Sequence, residues 1–275
     1  KLDAVLRGLK SQVEAFRNTS TRSIVGPDAI AEMRAVARES VAAGRPWQLF
    51  GQPQVVQDHW SYDAAAAVSA ARKAGDSAQA DHWAALLRNL TQWPLRRDRE
   101  TFAGEAVTRA LTRETLVQLA AARYKIPREL EDWQSHLSER RQLLGAIRGS
   151  ANAVVYGGDS HSAWVGGVRD DTNPTRVVAA EFDGMSITSP SGITTGHLPM
   201  EMLEAGLLAN NDGLEWADLH HHGYMLATLS HQTQAVTYLE VGVEEAGNTA
   251  AKCLARFEVA AGSGNRVQRT RCGGL

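Results

Sequence analysis

The residues best suited to chemistry lie in one short run, Gly157-Gly158-Asp159-Ser160-His161-Ser162-Ala163-Trp164. An apolar stretch, Ala153 to Tyr156, reads as a strand that leads into it. In mixed α/β sheets, sites gather in the loops beyond the carboxyl ends of strands. The two glycines permit a sharp turn and the close approach of a ligand. Asp159 and His161 are two positions apart, so on extended backbone their side chains point to one side. A carboxylate oxygen and an imidazole nitrogen can then ligate one cation, or one each of a close pair. Such a cation would polarise a phosphoryl oxygen or generate hydroxide near neutral pH. The plainer reading is a capping aspartate beside a surface histidine. Ser160 and Trp164 flank the pair as candidate pocket residues.

A second pair with this spacing is Asp218-Leu219-His220, followed by His221 and His222. Neighbours on a strand face opposite sides, so three adjacent histidines do not all reach one cation. The run reads as a turn entering a strand, with His222 the candidate that faces a pocket. Asp58-His59 and Asp81-His82 read as surface polar residues. Arg169 and Arg176 are candidate phosphate contacts near the site, or solvated loop arginines. Cys253 and Cys272 are the two cysteines of the chain. A hairpin would join them as a disulfide, which suits an exported protein, and two separate thiols fit equally well.

These residues need elements to hold them. Gly26-Pro27-Asp28 opens a helix that Gly44 and Pro46 stop. Trp47 to Phe50 reads as a short buried strand ended by Gly51. Residues 62–74 and 77–90 are Ala-rich and helical, and 101–123 form a further helix. Pro127 opens another, with Leu130, Trp133, Leu137, Leu144 and Ile147 on one face. After Ser150 the pattern turns to strands: Ala153 to Tyr156, Arg176 to Asp183, Gly223 to Ser230, Gln234 to Gly242, Leu254 to Val259 and Val267 to Thr270. The expectation is an α/β chain with a mainly helical part over 1–150 and a β-rich part over 151–275 of the same domain.

Composition narrows the function classes. The chain has 275 residues, a net charge of −2, 43% hydrophobic and 22% charged residues. That charge gives no basic field to favour nucleic acid or anionic lipid. No apolar run reaches the ~18 residues that span a bilayer. There is no Gly-x-Ser-x-Gly elbow, no phosphate-loop or dinucleotide glycine pattern after a strand, and no His-Glu-x-x-His helix. The chain starts at Lys1 without a signal-peptide pattern, which suggests a processed product or a piece of something longer.

Four blocks, in order, resemble the C-terminal half of PhoD-like alkaline phosphatases. They are Leu49-Phe50-Gly51-Gln52-Pro53-Gln54-Val55-Val56, then Gly158-Asp159-Ser160-His161-Ser162-Ala163-Trp164 after the helical Glu139 to Ile147. Glu181-Phe182-Asp183-Gly184-Met185-Ser186-Ile187-Thr188-Ser189-Pro190 follows, and Trp216-Ala217-Asp218-Leu219-His220-His221-His222-Gly223-Tyr224 ends the series. The resemblance implies the C-terminal half of a metallophosphatase αββα sandwich, with residues 61–125 as an added helical segment. It implies hydrolysis of phosphate mono- or diesters by metal-activated water, with Asp159 and His161 at the metal centre and iron and calcium as the ions. It also implies export to an extracellular or periplasmic location. The remaining ligands of that family lie in an N-terminal half that these residues do not include. The expected partner is therefore a complementary N-terminal chain or segment. The alternative is a non-catalytic structural subunit of a larger complex that kept the fold.

Overall fold

The computed structural model describes residues 2–92, 118–119, 121–191, 198–242 and 250–273. The helices, in chain order, are α1 (Leu2–Arg17), α2 (Pro27–Ala42), α3 (Ala64–Lys73), α4 (Ser77–Gln92), α5 (Leu137–Ile147) and α6 (Met200–Asn210). The strands are β1 (Gln48–Gly51), β2 (Ala153–Gly157), β3 (Ala163–Asp170), β4 (Asn173–Asp183), β5 (Leu214–Asp218), β6 (Gly223–Leu229), β7 (Thr233–Val241), β8 (Ala251–Ala260) and β9 (Val267–Thr270). The helix expected over 101–123 falls almost wholly outside the described residues.

Two compact units emerge. The first comprises residues 1–13, 60–128 and 193–212, and its described helices are α3, α4, α6 and most of α1. Asp63 caps α3 by accepting from the Ala66 N–H at 2.9 Å. The small residues Ala64 and Ala67 are buried, which lets α6 come close. A Cβ on Gly206 would stand 3.0 Å from the Asp63 carbonyl, and that glycine's own carbonyl accepts from Asp63 N at 3.1 Å. Asn211 closes the unit, with its side chain accepting from Trp60 N at 2.7 Å and donating to Trp60 O at 3.1 Å.

The second unit comprises residues 14–59, 129–192 and 213–275. It holds a five-stranded sheet in the order β1-β2-β4-β3-β5 and a four-stranded sheet in the order β6-β7-β8-β9. β1, β2 and β4 run parallel, while β3 runs antiparallel to both β4 and β5. One face of the five-stranded sheet carries Phe50, Val155, Val168 and Ala179 against Ile30 and Ala37 of α2, Trp133, and Leu143, Leu144 and Ile147 of α5. The other face carries Val154, Val165, Ala180 and Phe182 against Val236, Tyr238, Phe257 and Val259 of the second sheet. Strands covered on both faces lose alternation and read as continuous apolar runs, as β2 does. The α/β architecture expected from the sequence is present as helices, sheet and sheet.

Charged side chains fasten the helices to the loops. Glu139 of α5 accepts from Gly26 N at 2.6 Å, Ser23 Oγ at 2.8 Å, Val25 N at 3.2 Å and also Ile24 N, which fixes the approach to α2. Burial works to raise its pKa, and these four donors outweigh that and leave it lowered.

The structure corrects one helix. The segment after Pro127 is not a single helix: it forms a 3₁₀ turn at Trp133–Ser135 before α5 begins at Leu137. Arg22 takes the carbonyls of Leu130 and Ser135, and Arg17 takes that of Gln134. Those carbonyls would otherwise accept within a helix. Trp133 still packs in the core, whereas Leu130 is exposed. The cysteine question is also resolved: Cys253 and Cys272 form a disulfide across β8 and β9, with Cα atoms 6.0 Å apart.

Candidate functional site

The parallel strands β1, β2, β4 and β5 all end at the same rim of the five-stranded sheet. Gly51 pairs with Tyr156, Gly157 with Asp183, Trp164 with Asp183, and Ala163 with Asp218. Four loops therefore leave this rim, carrying Gln52 and Gln54, Asp159 to Ser162, Gly184 to Ser191, and Leu219 to His222. This is the carboxyl end at which α/β sheets place their sites.

The loop after β2 is a turn, not an extended stretch. Asp159 and His161 have φ values of 61° and 57°, the left-handed region in which Asp and His are enriched among non-glycine residues. Their side chains do not simply share one face of a strand. Asp159 Oδ2 accepts from Gln54 Nε2 at 3.2 Å, and His161 Nδ1 lies 3.1 Å from the Pro190 carbonyl. Both residues are exposed. An imidazole whose Nδ1–H is held by a carbonyl presents Nε2 as a lone-pair donor, the arrangement usual for metal-ligating histidine.

Ser160 and Trp164 brace the turn. The Trp164 indole donates to Ser160 Oγ at 2.7 Å, and Ser160 Oγ donates to the Ser162 carbonyl at 3.1 Å. Trp164 is fully buried, with the His59 ring 4.0 Å away edge-on. Ser162 Oγ bonds Ser191 Oγ at 2.7 Å, tying this loop to the one after β4.

Beyond β5, Asp218 Oδ1 accepts from the N–H groups of His220 and His221 at 3.0 and 2.8 Å, and Oδ2 lies 2.8 Å from His221 Nδ1. His221 is thus committed to the turn. His220 is exposed. His222 is half-buried, and its Nδ1 is buried without a hydrogen-bond partner. Its carbonyl accepts from Val241 N at 2.9 Å.

Arg169 and Arg176 do not approach this rim. β3 is antiparallel to β4, so Arg169 at its far end pairs with Val177, close to Arg176 at the opposite end of the sheet. Arg169 donates instead to the Pro174 carbonyl at 2.8 Å.

Two buried carboxyl groups lie beneath the rim. Glu181 and Asp183, two apart on β4, are both fully buried. Burial raises Glu181 to about 7 against the pull of two backbone donors and Arg140. Burial, then the neighbouring Glu181, pushes Asp183 well up. The Gln57 amide, itself buried, lies alongside. The Tyr238 hydroxyl donates to the main-chain carbonyl of Asp183 at 3.1 Å. Acidic residues two apart inside an apolar strand were the available sequence signal for this pair. A cavity of about 360 Å³ between α2 and β1 is lined by apolar side chains such as Met33, Phe50 and Trp133, with none of the candidate site residues in its wall.

Among the described residues, no group of three or more His, Cys, Asp or Glu side chains converges to hold a metal ion. The sequence profile of the PhoD-like phosphatase family matches residues 7–238. The chain belongs to the PhoD-like phosphatase family. The solved structure of PhoD matches at a TM-score of 0.56 and 14% identity, over 94% of this chain and 37% of that one. The chain thus spans a little over a third of the PhoD chain it matches, and the likeness is one of fold. No curated protein matches. No helix among the described residues is long and apolar enough to cross a membrane.

Proposed function

We propose that this PhoD-like chain supplies one side of a metal-dependent phosphoesterase site acting on phosphate mono- or diesters. The observation that carries this reading is the placement of Asp159 and His161 at the common carboxyl end of the parallel strands, with His161 Nδ1 tied to the Pro190 carbonyl. Asp159 and His161 would hold the cation, and iron and calcium are the ions the family suggests. A bound cation there supplies Lewis-acid polarisation of the phosphoryl oxygen and a nucleophilic hydroxide. Two ligands do not complete such a site, so the remaining ones come from polypeptide outside these residues. Among the described residues β1 borders the five-stranded sheet, and this border and the apolar cavity beside it offer a place for that polypeptide to pack. The disulfide supports an exported, oxidising location.

The test is a phosphatase assay of the chain assembled with a complementary N-terminal half. Asp159→Ala and His161→Ala are each expected to lower activity and metal content together. Full activity and metal content in both variants would sink the assignment. The alternative, a non-catalytic subunit, draws on the lack of a third converging ligand among the described residues. Native mass spectrometry that found only partners without phosphatase sequence would favour it.

A further inference from the structure

The loop that follows β1 is held from two directions. Glu181, buried in the centre of the five-stranded sheet, accepts from Val56 N at 2.6 Å and from Gln57 N at 2.7 Å, one carboxylate oxygen to each. Arg140 of α5 takes the other side of the same peptide: its Nε donates to the Val56 carbonyl at 2.8 Å. Its remaining nitrogens meet Asp171 and, at 3.6 Å, Asp58. Bonds to an ionised acceptor are roughly twice as strong as neutral ones. A loop without secondary structure has about 1–2 kcal/mol of backbone entropy per residue to overcome before it orders. The clamp therefore falls where local structure gives least help.

The other flank of this loop faces the site. The Pro53 carbonyl accepts from Gly158 N at 3.0 Å, and Gln54 Nε2 donates to Asp159 Oδ2 at 3.2 Å. Gln52 bridges the two flanks, accepting from the Trp133 indole and donating to the Gln54 carbonyl.

We infer that Glu181 and Arg140 are positioning residues for Asp159, acting through the segment Gln52–Gln57. Neither touches Asp159, and both fix the loop that does. The role in catalysis rests on the metal-site reading of Asp159, but the clamp and its reach are defined without it.

A carboxylate suits two N–H donors, whereas a carboxylic acid or an amide places its own hydrogen against one of them. The groups bearing on the charge of Glu181 are Arg140 from α5, Asp58 from the clamped loop, Asp183 from the same strand and Tyr238 from β7. Burial, and after it Asp58, raise this carboxyl to about 7 against the pull of the two backbone donors and Arg140. Those donors favour the ionised form, so while Glu181 stays buried the clamp tightens as pH rises through that value.

The experiment is residue-resolved amide exchange on the chain, comparing the wild type with Glu181→Gln and with Val168→Ala. The latter removes core volume from the cluster that also holds Val56 and deletes none of the clamp's hydrogen bonds. Glu181→Gln is expected to speed exchange at Val56, Gln57 and Gly158 by roughly tenfold. The wild type should show the same acceleration, beyond intrinsic exchange, as pH falls through about 7. The variant should be flat over that range. Faster exchange at Val56 and Gln57 with Gly158 unchanged overturns the inference, because the clamp then stops short of the site. Equal acceleration of Gly158 in Val168→Ala overturns it too, because the effect is then general loosening. Failure of Asp159→Ala to alter activity would remove the metal-site reading and leave these exchange results standing.

Discussion

A Cβ built on Gly157 stands 1.9 Å from Asp183 Oδ1. The carboxyl of a fully buried side chain occupies the space that any larger residue at 157 would need. The pairing of β2 with β4 places the two residues opposite each other. The glycine is thus demanded by a neighbour's volume, since its φ is not in the left-handed region.

Gly157→Ala is expected to destabilise the chain by about 1–3 kcal/mol, the usual cost of overpacking. Gly158→Ala, with no atom within 4 Å of its Cβ, is expected to stay within about 0.5 kcal/mol of the wild type. Urea unfolding midpoints measure both. Adding Asp183→Ser to Gly157→Ala should recover part of the loss, since contacting sites couple. Equal midpoints for the two single alanine variants would count against the packing account.

Stability should depend on pH through groups of opposite sign. Burial raises Glu181 to about 7 from an ordinary 4.5, so the folded chain holds this proton more tightly than the unfolded one. Its contribution is full below about pH 4.5 and is lost as pH rises through about 7. Asp170 behaves in the reverse sense. Its hydrogen bonds from Arg148 outweigh burial, Thr172 adds to them, and its pKa is lowered. Its contribution is present above the ordinary carboxylate range and is lost on acidification. Melting temperatures across a pH series should therefore decline from acid to neutral less steeply in Glu181→Gln. Arg148→Met should remove part of the loss seen at the acid end.

Much of the second sheet was legible because its strands alternate. In β8, Ala255, Phe257 and Val259 are buried, with the less buried Arg256 and Glu258 between them, and a short turn at Ser230 to Thr233 marks the hairpin of β6 and β7. β3 was hidden for the opposite reason. Ala163 to Gly166 are buried in succession and the strand contains two glycines, so neither periodicity nor propensity marks it. α6 was missed because Met-Glu-Met-Leu-Glu-Ala-Gly-Leu-Leu-Ala-Asn has a weak polar face and a glycine in its middle. The Gly157 to Trp164 run stood out in the sequence as a candidate by residue types and spacing. Its turn geometry did not: Asp and His are enriched in the left-handed region but seldom adopt it, so their types alone did not separate a turn from extended backbone. Glu181 looked like part of a strand motif, and its loop partners lie 124 and 125 positions away.

Reduction of Cys253–Cys272 is expected to cost roughly 3 kcal/mol, the loop-closure value for a separation of 19 residues. Scanning calorimetry with and without a reductant reads the shift. Cys253→Ser with Cys272→Ser should match the reduced protein.

The Tyr238 hydroxyl reaches two main-chain carbonyls, Asp183 at 3.1 Å and Trp164 at 3.3 Å. Tyr238→Phe is expected to cost about 0.5–1.5 kcal/mol in urea unfolding. A variant as stable as the wild type would show that the hydroxyl contributes nothing to joining the two sheets.

β6 forms one border of the four-stranded sheet, and its sequence, Gly-Tyr-Met-Leu-Ala-Thr-Leu, contains no charge and no proline. Tyr224 and Leu226 are exposed on it. Natural borders are commonly blunted by charge, proline or a bulge, and its pairing with β7 shows no register shift. The practical consequence is colloidal: yield and shelf life of the isolated chain should fall steeply with concentration. Light scattering should rise in step, and Leu226→Lys should suppress it while leaving the melting temperature in place.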